Sequence, residues 1–179
     1  MRMFLVYWNY FCLFICSYFL VLETIIFLNK YKDSTKEYGR MELKPNPMLV
    51  GTSLFLALPG ILFLQRAEYI QASLSFLCCL FSILWHSTKP RYNLILLADK
   101  IFGNSTVLVA VHTAAKGLPL SLIPASLFIG GAWVLYHYGH ANKCLLWSSD
   151  LATATRWHSV LHIGNGLMIV WIVLLVAKN

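Results

Sequence analysis

Six apolar stretches divide this chain, and each is close to the roughly 20 residues that a helix needs to cross a bilayer. The first runs from about Met3 to Leu28. The others run from about Met48 to Leu64, Tyr69 to His86, Asn93 to Thr113, Leu118 to His137, and Trp157 to Ala177. Polar punctuation separates them: a basic loop from Asn29 to Pro47, the turn Gln65-Arg66-Ala67-Glu68, the segment Ser87–Tyr92 with Pro90, Lys116-Gly117, and the stretch Tyr138–Arg156. That last stretch reads as a loop with one short amphipathic piece around Leu145–Trp147. Pro119 stands where a helix start tolerates proline, and Pro124 can kink the fifth segment. Backbone polar groups in hydrocarbon must be paired within their own segment, so runs of this kind are helices. The alternating ten-residue pattern of a membrane barrel is absent. The pattern predicts an all-α integral-membrane protein, a bundle of six transmembrane helices.

Composition agrees. The chain has 179 residues, 59% hydrophobic and only 12% charged, with mean hydropathy +0.67; a soluble domain carries roughly 25% charged residues. The net charge of +7 does not point to nucleic acid, because the basic residues gather in loops. The side of the Asn29–Pro47 loop holds Lys30, Lys32, Lys36, Arg40, Lys44, Lys89, Arg91, Lys143 and Arg156, against Arg2, Arg66, Lys116 and Lys178 opposite. The excess makes the loop side cytoplasmic. Both termini then lie on the other face of a multi-pass protein whose membrane is left open. Arg2 ahead of the first run resembles the start of a signal peptide, but the run exceeds the roughly 7–15 apolar residues of such a leader. A retained helix is expected, with cleavage near Ser17 as the alternative. The five cysteines, an odd number lying mostly in apolar runs, read as small packing residues rather than a disulfide framework.

Against this apolar background five residues stand out. His86 ends the third run, with Ser82 one turn deeper on the same face. Asp99 lies about two turns into the fourth run. His158 and His162, four apart and so on one face, occupy the first two turns of the last. Alternating helix direction brings all five to the cytoplasmic face. Ionisable groups at such depth are costly and are usually kept for an ion path, a metal or chemistry. A lone histidine in an apolar helix is more often a hydrogen-bonded structural residue. The paired spacing suits two ligands to one ion, and three imidazoles resemble a zinc site with one position open. The pair is not the HExxH of soluble zinc proteases, since no glutamate lies between the ligands. The general base must then come from another helix, and Asp99 is the candidate. His137 and His140 end the fifth run on the same side and read as interfacial or supporting groups; His112 lies at the other face. Glu23 lies about a turn from the cytoplasmic end of the first helix, where it pairs with a loop lysine or approaches the site. Asn104-Ser105-Thr106 fits a glycosylation sequon but falls inside a helix, so no modification is expected.

Ser82-Ile83-Leu84-Trp85-His86, Asp99 and the His158–His162 pair together resemble the CREST membrane hydrolases. That superfamily includes alkaline ceramidases, progestin/adipoQ receptors, Per1-type lipid-remodelling proteins and myomaker-like proteins, and the stretch Tyr69–His86 looks most like the myomaker-related branch. The resemblance covers about Pro47 to Ala177. It divides the chain into a helix and basic loop (1–46) and a CREST-like core (47–179). The family usually has seven core helices. Here 58 residues separate Asp99 from His158, which leaves a five-helix core. What the resemblance implies is zinc held by His86, His158 and His162, a water activated for attack, Asp99 passing its proton to the leaving group, and Ser82 steadying the water or the oxyanion. The substrate would be an amide or ester lipid entering from the bilayer. Other readings remain: a non-catalytic zinc-containing receptor or remodelling protein of the same group, a proton-relay transporter, or haem bound between His86 and one of the pair.

Overall fold

The computed structural model describes residues 45–88, 93–117 and 120–177. The first apolar run, Glu23 and nearly all of the basic loop lie outside the described residues, as do residues 89–92. Among the described residues the chain is helical and has no strand. Helix α1 is Pro47–Gln65, tightened into a 3₁₀ turn at Leu54–Ala57; α2 is Tyr69–Ser87 and α3 is Asn93–Lys116. Helix α4 is Leu122–Trp133, continuing through a π-helical turn at Val134–Tyr138 into Gly139–Asn142. A 3₁₀ turn at Leu145–Trp147 leads to α5, Leu151–Val176. Four of these, α1, α2, α3 and α5, are long and apolar enough to cross a membrane. The chain is therefore read as a multi-pass membrane protein.

Burial is inverted relative to a soluble bundle. Large apolar side chains such as Leu54, Ile61, Ile70, Leu127 and Leu174 are exposed, whereas Ser53, Ser75, Ser82, Thr113, Ser121 and Ser159 are buried. Lipid tails solvate leucine as well as another leucine does. Helices in a bilayer therefore associate through small residues and hydrogen bonds rather than through apolar burial.

The helices run alternately between two ends. At one end Glu68 is ion-paired with Arg66 and with Lys116 (3.2 and 3.0 Å), and Arg66 also donates to the carbonyl of Val173. Beneath this clasp lies the apolar core: Phe63, Ala110, Ala114, Phe128, Ile169, Ile172 and Val173. The opposite end is polar, and there Asn46 caps α1. Its side chain accepts from Leu49 N, its amide donates to Thr155 Oγ1 on α5 (3.0 Å), and its backbone N–H donates to the carbonyl of His86 (2.9 Å). Pro47 occupies the first helical position, where its missing N–H leaves no bond unmade.

Two boundaries differ from the sequence reading. Helix α5 begins at Leu151, not near Trp157, because Asp150 caps it, accepting from Ala152 N and Thr153 N. The Thr153 hydroxyl, then its amide, hold the exposed Asp150 carboxyl below the usual carboxylate range. His158 and His162 are thus in the third and fourth turns of α5, not the first two. A helix of 26 residues is about 39 Å long, against a hydrocarbon core of about 30 Å, so polar first turns are tolerated beyond the lipid. Residues 138–142, expected as loop, remain helical, and the turn comes at Lys143 in the left-handed region (φ 52).

Gly166 sets the approach of α5 to α1. A Cβ there would collide with the Phe55 carbonyl, 2.7 Å from its carbon, whereas one at Gly164 meets nothing within 4 Å. Gly166→Ala is expected to destabilise the fold by about 1–3 kcal/mol through overpacking. Gly164→Ala is expected to be neutral or to stabilise by about 0.5–1 kcal/mol through helix propensity. Thermal melts of the two variants in one detergent check the pair; equal melting temperatures would refute the close approach.

Candidate metal centre

The polar end of the bundle collects the residues singled out above. His86 closes α2, and His158 and His162 lie one turn apart on α5. Their rings are in mutual contact, with centroids 4.9 Å apart for His86–His158, 5.3 Å for His86–His162 and 4.7 Å for His158–His162. One ring nitrogen from each lies within 4.8 Å of the others, close enough to share an ion. His86 and His162 are buried, and His158 is half-buried. The cluster is the group of three or more ligand-type side chains found among the described residues.

The surroundings of each ring fit a cation. His162 presents Nδ1 to α1, where the Thr52 and Ser53 hydroxyls stand 3.3 and 3.4 Å away. Nε2 is thereby turned inward, toward Ser82 Oγ at 3.4 Å. This is the arrangement in which one imidazole nitrogen is oriented by a hydrogen bond and the other is left for a metal. The Nε2 of His86 is buried and has no hydrogen-bond partner. An imidazole nitrogen stranded in that way costs free energy, which a shared ion recovers. Three neutral nitrogen donors suit zinc, copper, iron or nickel better than magnesium or calcium, which prefer oxygen. The donor set thus supports a metal centre without choosing the metal.

Ser82 is fully buried. It accepts from Ser53 Oγ (3.0 Å), which shares its proton with the Leu49 carbonyl (2.8 Å). Its own proton is then available to the Asp99 carboxyl, which it faces from α2. Asp99 is half-buried on α3 and also neighbours Cys78, one turn below Ser82. All five candidate residues therefore belong to one end, with Ser82 3.4 Å from His162 Nε2 and facing Asp99. A cleft of about 500 Å³, lined by Asn46, Met48, Leu151, Ala152, Thr155 and Arg156, opens between the starts of α1 and α5. Thr155 is one turn before His158.

His137 and His140 do not join the cluster. His140 packs edge-on against Trp147 (4.7 Å), and His137 pairs with Tyr136 (6.2 Å). His112 is exposed, one turn from Lys116 at the far end. Thr106 of the sequon is buried within α3. Sequence reasoning missed Asn46, Thr52, Ser53 and Thr155. A signal was present for some of them. Thr52 and Ser53 are the hydroxyl residues of an otherwise apolar run, and Thr155, Ser159, His162 and Gly166 form a small and polar stripe at helical spacing.

Purified protein is expected to carry about one metal ion per chain, and His158→Ala to lose it. Ser53→Ala is expected to weaken binding about 10- to 100-fold, the usual effect of removing a group that orients a ligand. Elemental analysis and competition with a chromophoric chelator measure both effects. Full metal occupancy in His158→Ala would refute the centre.

No protein-family model, curated protein or solved structure matches this chain, so the chemistry of the centre is argued from its own residues.

Proposed function

We propose that this chain is a zinc-dependent intramembrane lipid hydrolase of CREST type, acting on an amide (ceramide-like) or ester bond. The observation that carries the reading is the contact of a three-imidazole cluster with Ser82, which in turn faces Asp99. In this reading the first apolar run adds a sixth transmembrane helix to a five-helix core, and the excess of basic loop residues supports a centre near the cytoplasmic face. Its partners are the bilayer and a lipid substrate.

In this reading His86, His158 and His162 would hold the zinc through ring nitrogens. Zinc bound there would act as a Lewis acid and lower the pKa of its water to about 7. Asp99 accepts the proton released as water adds to the carbonyl, and delivers it to the leaving nitrogen or oxygen as the acyl bond breaks. Ser82, whose hydroxyl accepts from Ser53, would turn its one proton from Asp99 to the oxygen that gains negative charge. The products are a fatty acid and an amine or alcohol, with water as the other reactant. The cleft beside Thr155 and Arg156 gives a headgroup a place at the surface, while acyl chains remain in lipid. Haem suits the centre less well, because the three rings touch one another and leave no slot for a flat macrocycle between them.

Zinc-loaded protein in nanodiscs is expected to release fatty acid from an N-acyl or ester lipid. Asp99→Asn should retain the metal and lose about 100- to 10,000-fold in rate, the range typical of a positioned acid–base group. Mass spectrometry of the lipid extract reads the product. Metal-replete, folded protein that turns over neither lipid class would overturn the hydrolase reading and favour the non-catalytic alternative.

A further inference from the structure

The cleft of about 500 Å³ between the starts of α1 and α5 is open to the surface, and Arg156 stands in its wall. Arg156 is exposed, and its guanidinium makes no hydrogen bond or ion pair among the described residues. The acid that precedes it on the chain, Asp150, turns its carboxylate oxygens to Ala152 N, Thr153 N and the Thr153 hydroxyl instead. A second donor shares the cleft. Thr155 Oγ1 accepts from the Asn46 amide (3.0 Å), and its own proton has no acceptor among the described residues. A guanidinium fork beside a hydroxyl proton suits an anion with several oxygens, and phosphate matches the fork in a bidentate way.

The depth of Arg156 agrees with such a ligand. From Trp157 to its end at Val176, α5 carries no Lys, Arg, Asp or Glu. That stretch is about 30 Å long, the thickness of the hydrocarbon core. Arg156 is the residue before it and so stands at the level of lipid headgroups. An interfacial arginine is ordinary by itself; what sets this one apart is the company in its cleft. Asn46, which also lines the cleft, donates its backbone N–H to the carbonyl of His86 (2.9 Å). Thr155 stands one turn before His158, on the stripe that leads to His162. The cleft wall is therefore bonded to the frame of the histidine cluster.

Distance then selects among lipids. His158 and His162 follow Arg156 by two and six residues, which places the cluster about 3–9 Å deeper along α5. In a glycerophospholipid about five covalent bonds separate phosphorus from the nearer ester carbonyl carbon, an extended span of about 6 Å. An uncharged ceramide headgroup offers Arg156 nothing to pair with. We propose that the cleft is a headgroup subsite and Arg156 its specificity-determining residue: the guanidinium holds the phosphate of a glycerophospholipid whose nearer ester carbonyl reaches the histidine cluster. Water adds to that carbonyl, the acyl–oxygen bond breaks, and the leaving oxygen takes its proton from Asp99, giving a fatty acid and a lysophospholipid. The inference rests on the hydrolase reading for the role of the carbonyl; phosphate binding stands on the cleft alone.

The test uses the full chain as purified, in a neutral maltoside detergent. Dioctanoyl phosphatidic acid and dioctanoylglycerol serve as probes that differ only in the phosphate. Native mass spectrometry measures how much of each binds and verifies that it is intact. Wild-type protein is expected to bind the phosphatidic acid about 10- to 100-fold tighter, the range of a hydrogen bond to a charged group. Arg156→Gln should bring the two probes to within about threefold of each other at an unchanged melting temperature, since the residue is exposed. Arg156→Lys should keep part of the preference, because lysine supplies the charge without the fork. Lys143→Gln, at another exposed basic residue before α5, should leave it intact. Equal binding of the two probes by the wild type overturns the proposal. So does a preference that survives Arg156→Gln, or one that falls equally in Lys143→Gln, which would mark a general surface charge. Inorganic phosphate is titrated as a competitor, and displacement at concentrations comparable to those of the lipid overturns the lipid as the source of the phosphate. Should Arg156→Gln fail to fold, Arg156→Lys decides, and an undiminished preference there overturns the proposal. Turnover of both probes by zinc-loaded protein is measured in parallel. Phosphate preference without turnover sinks the hydrolase reading and leaves the subsite; turnover of both probes with equal KM does the reverse.

Discussion

The polar end of the bundle depends on Asn46. Within one residue, the side-chain oxygen caps α1, the side-chain nitrogen reaches Thr155 on α5, and the backbone N–H satisfies the last-turn carbonyl of His86 on α2. Three helices that each carry part of the centre are thereby pinned at one level. A hydrophobic contact would not do this in a bilayer, because apolar side chains gain little by leaving lipid for one another. Directional bonds are what remain, and a carboxamide with two donors and an acceptor is well suited to a three-way junction.

The rest of the centre follows from that junction and from Gly166. Asn46 sets the height of α1, so that Thr52 and Ser53 fall opposite His162. Gly166, one turn on, lets the α5 backbone approach the Phe55 carbonyl closely enough for those hydroxyls to reach the ring. The 3₁₀ turn at Leu54–Ala57 lies at this approach. At the far end the Arg66–Glu68–Lys116 clasp and the Ile169–Ile172–Val173 core do a different job: they hold the helices together without any group that waits for a ligand.

Much of this was legible in the sequence, and the illegible parts share a cause. The apolar runs from Met48 to Ala177 mark helices because hydrocarbon leaves the backbone no alternative, and five of them are helical where expected. Ser82, His86, Asp99, His158 and His162 were conspicuous as polar groups at depth, and helix direction alone brought them to one end. Asn46 and Thr155 were not conspicuous, since polar residues in interfacial loops and first turns are common. Their importance lies in the register between helices, which no single-helix periodicity encodes. Thr52 and Ser53 looked like small packing residues, and they are that as well. The start of α5 was placed late because Leu151–Arg156 is too polar to read as membrane. Asp150 begins the helix outside the hydrocarbon, where hydropathy carries no signal.

Where the structure leaves polar atoms unsatisfied is itself informative. Among the described residues three buried side-chain atoms have no partner: His86 Nε2, Trp147 Nε1 and Asn165 Oδ1. Each such atom costs about 1–3 kcal/mol, a large sum for a bundle whose helices attract one another weakly. None lies at the clasped end. His86 belongs to the cluster, Asn165 is one turn from it, and Trp147 packs against His140 beside the start of α5. A chain selected for stability alone would spread such defects or remove them, as it has at the far end, where even Ser121 and Thr113 find backbone carbonyls. His86 Nε2 and Trp147 Nε1 lie at the end that also holds the three clustered imidazoles and a carboxyl, and Asn165 Oδ1 lies near the middle of α5. The bonds that hold the helices together are complete, and the one stranded imidazole nitrogen, His86 Nε2, belongs to the cluster itself.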